Sequence, residues 1–245
     1  MKFELLPVID IMLDLYQKPR TAGRFREYLQ TLQGEKTKGD LVVPIGGFNP
    51  MAKEHAIAKL QELKRIGAEK IIEETLQAIN KDVAKEPSSA FKVSLNLADD
   101  LKGGWTNHFT TDYDSKFKMN ALIKRNFCIP IFWTSEDFNS PMIIQRTKEY
   151  CYRSVYWLSY NKPKTLDGHI QQEIFVARKI NNKIQHINDI KMLNDFYERN
   201  KDTTEWIKIF NFFYGDDAVV SLGNTPMGIK EDYAGYKFAK YLASK

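Results

Sequence analysis

The sequence predicts an α+β fold that is predominantly helical, with a small sheet of about three strands within residues 41–133 and a helical C-terminal half. Two observations predict it. Apolar residues recur three and four apart along most of the chain, which is the signature of an amphipathic helix. Only three short segments, all before residue 134, carry a strand pattern.

Taken in order, Leu5, Leu6, Ile9, Leu13 and Tyr16 predict a helix over 5–17, ended at Lys18-Pro19 because a residue before proline avoids the helical region. Thr21 is placed to cap a second helix that Gly34 closes. Leu41-Val42-Val43-Pro44-Ile45 predicts a first strand, pushed toward an edge by Pro44. A helical pattern follows over 51–85, interrupted at Gly67. Phe91 to Leu97 alternates apolar and polar, as a half-buried strand does. Residues 99–115 show no period and are expected as a long loop. Phe127 to Trp133 predicts a buried strand. Ser140-Pro141, Thr165, Asp189 and Thr203 then each open a helix, and a last one covers 230–243. The chain is expected as one globular domain over 1–245, with a subdivision into an α/β part, 1–138, and a helical part, 139–245.

Composition narrows the class. Hydrophobic residues at 43% and charged residues at 27% suit a folded domain rather than a disordered chain. The formal net charge of +5 is scattered rather than gathered into a stripe or arm, so nucleic acid is not an expected partner. Cys128 and Cys151 sit among apolar neighbours and are expected as buried free thiols in a reducing compartment, which predicts a cytoplasmic protein. The N-terminal segment carries acids and a proline where a signal peptide is apolar, and no run is long enough to span a membrane.

Two segments carry candidate chemistry. Gly46-Gly47-Phe48-Asn49-Pro50 follows the first predicted strand, and glycines there let a ligand come close to the backbone. Gly47-Phe48-Asn49-Pro50 followed by His55 resembles part of the signature of the HIGH-motif nucleotidyltransferases. Ala52 and Glu54, however, stand where that family has its His or Thr and its Gly, and no Ser-x-Thr-x-x-Arg segment lies near the end. Only His55 of the catalytic pair is present, so the likeness implies no activity. The second segment runs from Asp99 to Asp114 and has the densest set of reactive side chains in the chain.

From these we expect an enzyme acting on a small polar or anionic metabolite, with its site in 99–115. His108 is the candidate acid/base, since imidazole titrates near neutral pH. Asp112 and Asp114 are candidates to orient His108 or to share a divalent cation. Gly46, Gly47, Asn49, Trp105, Asn107 and Arg125 are the candidate substrate-binding residues, with Trp105 as a stacking wall and Arg125 as a charge partner. No other cofactor is named by any motif. His169 and Glu173, four apart on one helical face, are expected as a surface contact. The alternative is a non-catalytic interaction protein or homodimer, with Tyr150, Tyr152, Tyr156, Trp157 and Tyr160 on one helix as the contact surface. A second alternative is nucleic-acid binding, on the pI near 8.9 and the interleaved aromatics.

Overall fold

The computed structural model describes residues 1–34, 40–85, 89–101, 106–160 and 162–245, and Trp105 lies outside them. The chain forms two compact units, Met1–Cys151 and Tyr152–Lys245.

The first unit opens with strand β1 (Lys2–Leu5), followed by helices α1 (Ile9–Gln17), α2 (Ala22–Gln33), α3 (Glu54–Ile66) and α4 (Ala68–Asp82). Strands β2 (Ala90–Val93) and β3 (Asn96–Ala98) come next, then helices α5 (His108–Phe117) and α6 (Asn120–Lys124), strands β4 (Phe127–Cys128) and β5 (Ile131–Trp133), and helix α7 (Ser140–Ser159), which runs through the division point. Among the described residues, all strand pairs are parallel. β1 pairs β2 with Phe3 opposite Phe91, and β2 pairs β4 with Val93 opposite Cys128. β3 pairs β5 with Asn96 opposite Ile131 and Ala98 opposite Trp133. The ladder carries across the gap, because Ser94 N donates to Cys128 O and Asn96 N to Pro130 O. The interruption falls at Pro130, which has no N–H to give to a neighbouring strand.

Local chemistry explains the elements. β1 is an edge strand, and Asn80 of α4 covers its outer side by accepting from Phe3 N at 2.7 Å and donating to Phe3 O at 2.9 Å. Glu69 Oε1 accepts from Val8 N at 2.6 Å and Ile9 N at 3.0 Å, so α1 is capped from another helix. The helix expected from residue 5 therefore starts at Ile9, with Leu5 taken into the sheet. Thr21 caps α2 through Gly23 N, as its sequence position predicts. Buried Arg24 ties Tyr16 O, Lys18 O and Pro50 O together.

The strand expected at 41–45 does not form. Val42 N and Val43 N instead donate to Leu32 O at the end of α2. Pro44 has no donor to offer a ladder. The loop expected over 99–115 contains α5, whose Tyr113 and Phe117 stack edge-on with centroids 5.0 Å apart. Phe109, Tyr113 and Phe117 recur every fourth residue, a helical period beneath polar neighbours. Asn139, not Ser140, caps α7, through a 2.9 Å bond from Met142 N. Cys128 and Cys151 are free and buried, with their sulfurs 3.9 Å apart. Burial pushes the Cys151 thiol up.

The second unit is helical, with α8 (Leu166–Lys179), α9 (Ile190–Asn200), α10 (Trp206–Tyr214), α11 (Asp216–Ser221) and α12 (Ala234–Ala243). Thr165 caps α8 through Gly168 N at 3.1 Å, whereas the Asp189 side chain does not cap α9. The core gathers Phe196, Phe210, Phe212, Phe213 and Phe238. His169 and Glu173 are buried at 4% and 5% exposure, not on the surface. Glu173 accepts from Arg153 Nε at 2.8 Å and Nη2 at 2.6 Å, and this buried cation holds the carboxylate inside. Tyr150, Tyr152 and Trp157 are buried, Tyr156 is half-buried and Tyr160 is exposed, so the aromatic stripe of α7 is mostly core. Among the described residues, no helix is long and apolar enough to cross a membrane.

Candidate functional site

Parallel strands end together, and the loops at their carboxyl ends are where open α/β sheets hold ligands. Here β3 runs into Asp99-Asp100 and β5 into Thr134-Ser135. Thr134 N donates to Ala98 O, so the strand pairing sets the two polar dipeptides side by side. The Thr134 hydroxyl lies 3.0 Å from Asp99 Oδ1 and 3.1 Å from Asp100 Oδ1, between the two carboxylates.

Each carboxylate then meets a histidine. Asp100 Oδ2 is 2.7 Å from His108 Nδ1, and Asp99 Oδ1 is 2.9 Å from His55 Nε2. Asp99 is buried and Asp100 half-buried, each with its side chain 5% exposed, while the His108 and His55 side chains keep 29% and 32%. Ser135 adds two donors to Asp100, its N at 3.0 Å and its hydroxyl at 2.7 Å. Burial pushes the Asp100 carboxyl up, but the hydrogen bonds from His108, Ser135 and Thr134 outweigh it and hold it at about 2. Asp100 is therefore fully ionised at neutral pH.

The supports are rigid. His108 is the first residue of α5, whose cap Asn107 accepts from Thr110 N at 3.0 Å. The His108 ring lies against Trp133 with centroids 4.2 Å apart. Glu136 accepts from Trp133 N at 3.0 Å and is held by Arg146 through contacts of 2.6 and 2.7 Å, which fixes the turn after β5.

A cavity of about 370 Å³ lies toward the other end of the same two strands, lined by residues of α5, α6, the starts of β3 and β5, and the glycine loop. Gly47 crosses Asn96 so closely that a Cβ at 47 would fall 2.7 Å from Asn96 Nδ2. Two residues on, Asn49 Nδ2 reaches Asp99 Oδ2 at 3.5 Å. The glycine loop thus follows β3 from the cavity to the carboxylates.

Of the residues expected from sequence, His108 and Asn49 meet at the Asp99–Asp100 cluster, and Asn107 serves as the cap that starts the His108 helix. Gly46, Gly47 and Asp114 line the cavity. Asp112 is bound to Lys116 at 2.7 Å and Asp114 to Lys118 at 2.7 Å, each lysine four residues on, while the carboxylate 2.7 Å from His108 Nδ1 is that of Asp100. Arg125 pairs with Asp40 at 3.0 Å and joins neither group. Among the described residues, no three His, Cys, Asp or Glu side chains are grouped to hold a metal ion. Sequence reasoning missed His55 with Asp99, Asp100 as the partner of His108, and Thr134-Ser135. The signal was a polar pair directly after each apolar strand.

No family model, curated protein or solved structure matches this chain.

Proposed function

We propose that the first unit is an acid/base enzyme acting on a small polar metabolite, with His108 as the group that takes and returns the proton. The observation that carries this is the His108–Asp100 contact at the carboxyl ends of β3 and β5. A buried ionised carboxylate on Nδ1 fixes the imidazole's orientation and tautomer. It also stabilises the imidazolium formed when Nε2 accepts a proton, the division of labour that aspartate and histidine show in hydrolytic triads. Thr134 and Ser135 keep Asp100 from taking that proton itself, since their hydrogen bonds stabilise its charged form. His55 with Asp99 forms a second such pair on the other side of Thr134, which supplies a site for a second proton.

The test is a conversion screen with the full chain against mixtures of hydroxy acids, sugar phosphates, amines and nucleosides, followed by proton NMR in H2O and D2O. The expected result is conversion or solvent exchange at one substrate. It is lost in His108→Ala and falls about 10²–10⁴-fold in Asp100→Asn. The Tm of His108→Ala should stay close to that of the parent. Turnover that survives in His108→Ala overturns the proposal. So does an inactive parent whose His108→Ala variant melts several degrees lower, which would make His108 structural.

A further inference from the structure

We propose that the 370 Å³ cavity is a binding site separate from the His108 cluster, for a molecule with an apolar body and a carbonyl or carboxylate oxygen that accepts a hydrogen bond from Asn96 Nδ2. It goes beyond the acid/base reading and does not depend on it. The cavity lies at the starts of β3 and β5, whereas the two histidines meet the carboxylates after their ends.

The first argument is a donor without an acceptor. Asn96 lines the cavity and is only 3% exposed. Its backbone N–H is taken by Pro130 O, which continues the strand pairing. Its side-chain amide makes no hydrogen bond among the described residues. Of the two amide atoms Oδ1 is sealed from solvent, so Nδ2 is the one that a molecule in the cavity meets. Buried donors in native structures have partners, and one that opens on a cavity takes its partner from what enters there.

The second argument is how that donor is kept open. The Gly46-Gly47 turn lines the same cavity and runs past Asn96. A Cβ at 47 would fall 2.7 Å from Nδ2, so glycine is what leaves the donor its room. The backbone makes no such demand, because Gly47 has no positive φ and other residues adopt its conformation. The close approach to the amide is therefore the physical reason for glycine here.

The third argument is the rest of the wall. Leu41, Leu122, Ile129 and Ile131 supply hydrocarbon. A cavity of about 150 Å³ is enough for benzene, so an aromatic or short aliphatic body fits here. Covering that body supplies affinity, and the one aimed donor supplies orientation, which is how small-molecule sites divide the work. A ketone, amide or carboxylate oxygen accepts from Nδ2, whereas a purely hydrocarbon molecule leaves it unmet.

The experiment titrates the full chain with acetophenone, benzoate and ethylbenzene. It follows the methyl signals of Leu122, Ile129 and Ile131 and the side-chain NH2 signal of Asn96. Acetophenone stands for a neutral carbonyl and benzoate for a carboxylate, while ethylbenzene has nearly the shape of acetophenone and no acceptor. The tighter of the two oxygen probes should bind about three- to tenfold more tightly than ethylbenzene, should shift the Asn96 NH2 signal, and names the kind of oxygen the site takes. In Asn96→Leu, which removes the donor at similar volume, that advantage should vanish. Gly47→Ala, which crowds Nδ2, should remove it too. Equal affinity for all three probes overturns the inference, and the cavity is then an apolar cleft whose amide is met by water. No saturation by any probe overturns it, as does an acceptor preference that survives both substitutions. The wild-type ranking decides even if a variant fails to fold. Probe affinities should be unchanged in His108→Ala, and a loss there would overturn the separation of the two sites.

Discussion

Replacing Asp100 by Asn tests the centre of the site with one atom changed. Four groups face the carboxylate. The His108 ring and the Ser135 hydroxyl point at Oδ2, and the Thr134 hydroxyl and Ser135 N point at Oδ1. An amide can accept at only one of these positions. Turned one way, its NH2 meets the Ser135 N–H, which can only donate; turned the other way, it meets the Ser135 hydroxyl and His108 Nδ1, and His108 can accept from it only in the other tautomer. The ionic part of the cost follows from linkage. Asp100 titrates at about 2 in the folded protein and at about 3.9 in an unfolded chain, a gap worth about 2–3 kcal/mol at neutral pH. Because the folded value is the lower one, this stability is present above about pH 4 and disappears as pH falls toward 2. For a chain of this size the loss is a Tm drop of roughly 5–10 °C. Thermal and urea melts of parent and Asp100→Asn at pH 7, 5, 4, 3 and 2.5 would measure it. The two proteins should differ most at neutral pH and converge in acid. A variant within about 1 °C of the parent at pH 7, or a difference that is constant from pH 4 to pH 2.5, would refute the reasoning.

The second unit yields two further tests. Burial lowers His169 to about 4 against the opposing pull of Glu173, so it is neutral when folded and must charge on unfolding at mild acid pH. Its contribution is intact above about pH 6.5 and is lost as pH falls toward 4, roughly 3 kcal/mol in all. His169→Gln should flatten the stability profile in that window, and the His169 ring proton should not titrate by NMR above about pH 5. An unchanged slope would contradict this. The Arg153–Glu173 pair should behave as buried ion pairs do. Glu173→Gln should cost about 3–5 kcal/mol by leaving a buried guanidinium uncompensated, while Arg153→Met with Glu173→Leu should recover much of it. A Glu173→Gln variant that melts with the parent would show that the pair carries no such energy.

The fold class was legible because it rests on long helical periods, and α2, α3, α4 and α8 follow from caps and breaks written in adjacent residues. β1 was not legible. Lys2 to Leu5 is too short to show a period, and Leu5 also fits the helical spacing that follows. Its strand state depends on Phe91, far along the chain. At 41–45 the β-branched composition misled, since Pro44 and the free carbonyl of Leu32 decide where those amides go. His108 was recognisable as an acid/base candidate by residue type alone. Its partner was not, because Asp112 and Asp114 are nearer in the helix, yet lysines four residues on claim both. The pairing with Asp100 depends on where β3 ends and on how α5 is capped, which only the folded chain reveals.

The strand order also sets a timetable for synthesis. β1 emerges first, yet its partner β2 follows about 85 residues later, a wait of roughly 5–15 s at a rate of about 5–20 residues per second. The ring of Phe3 lacks its partner Phe91 throughout that interval. A second wait follows, since 35 residues separate Asp99 from Thr134. Until β5 arrives, the two carboxylates lack the hydroxyl that sits between them and the serine that binds one of them. A nascent chain cut short before residue 134 thus holds the acids and both histidines, but not the pairing that orders them. Fragments released from the ribosome and ending at successive points between 93 and 151 should stay protease-sensitive until they include β5. The N-terminal unit should become resistant only then, in a single late step.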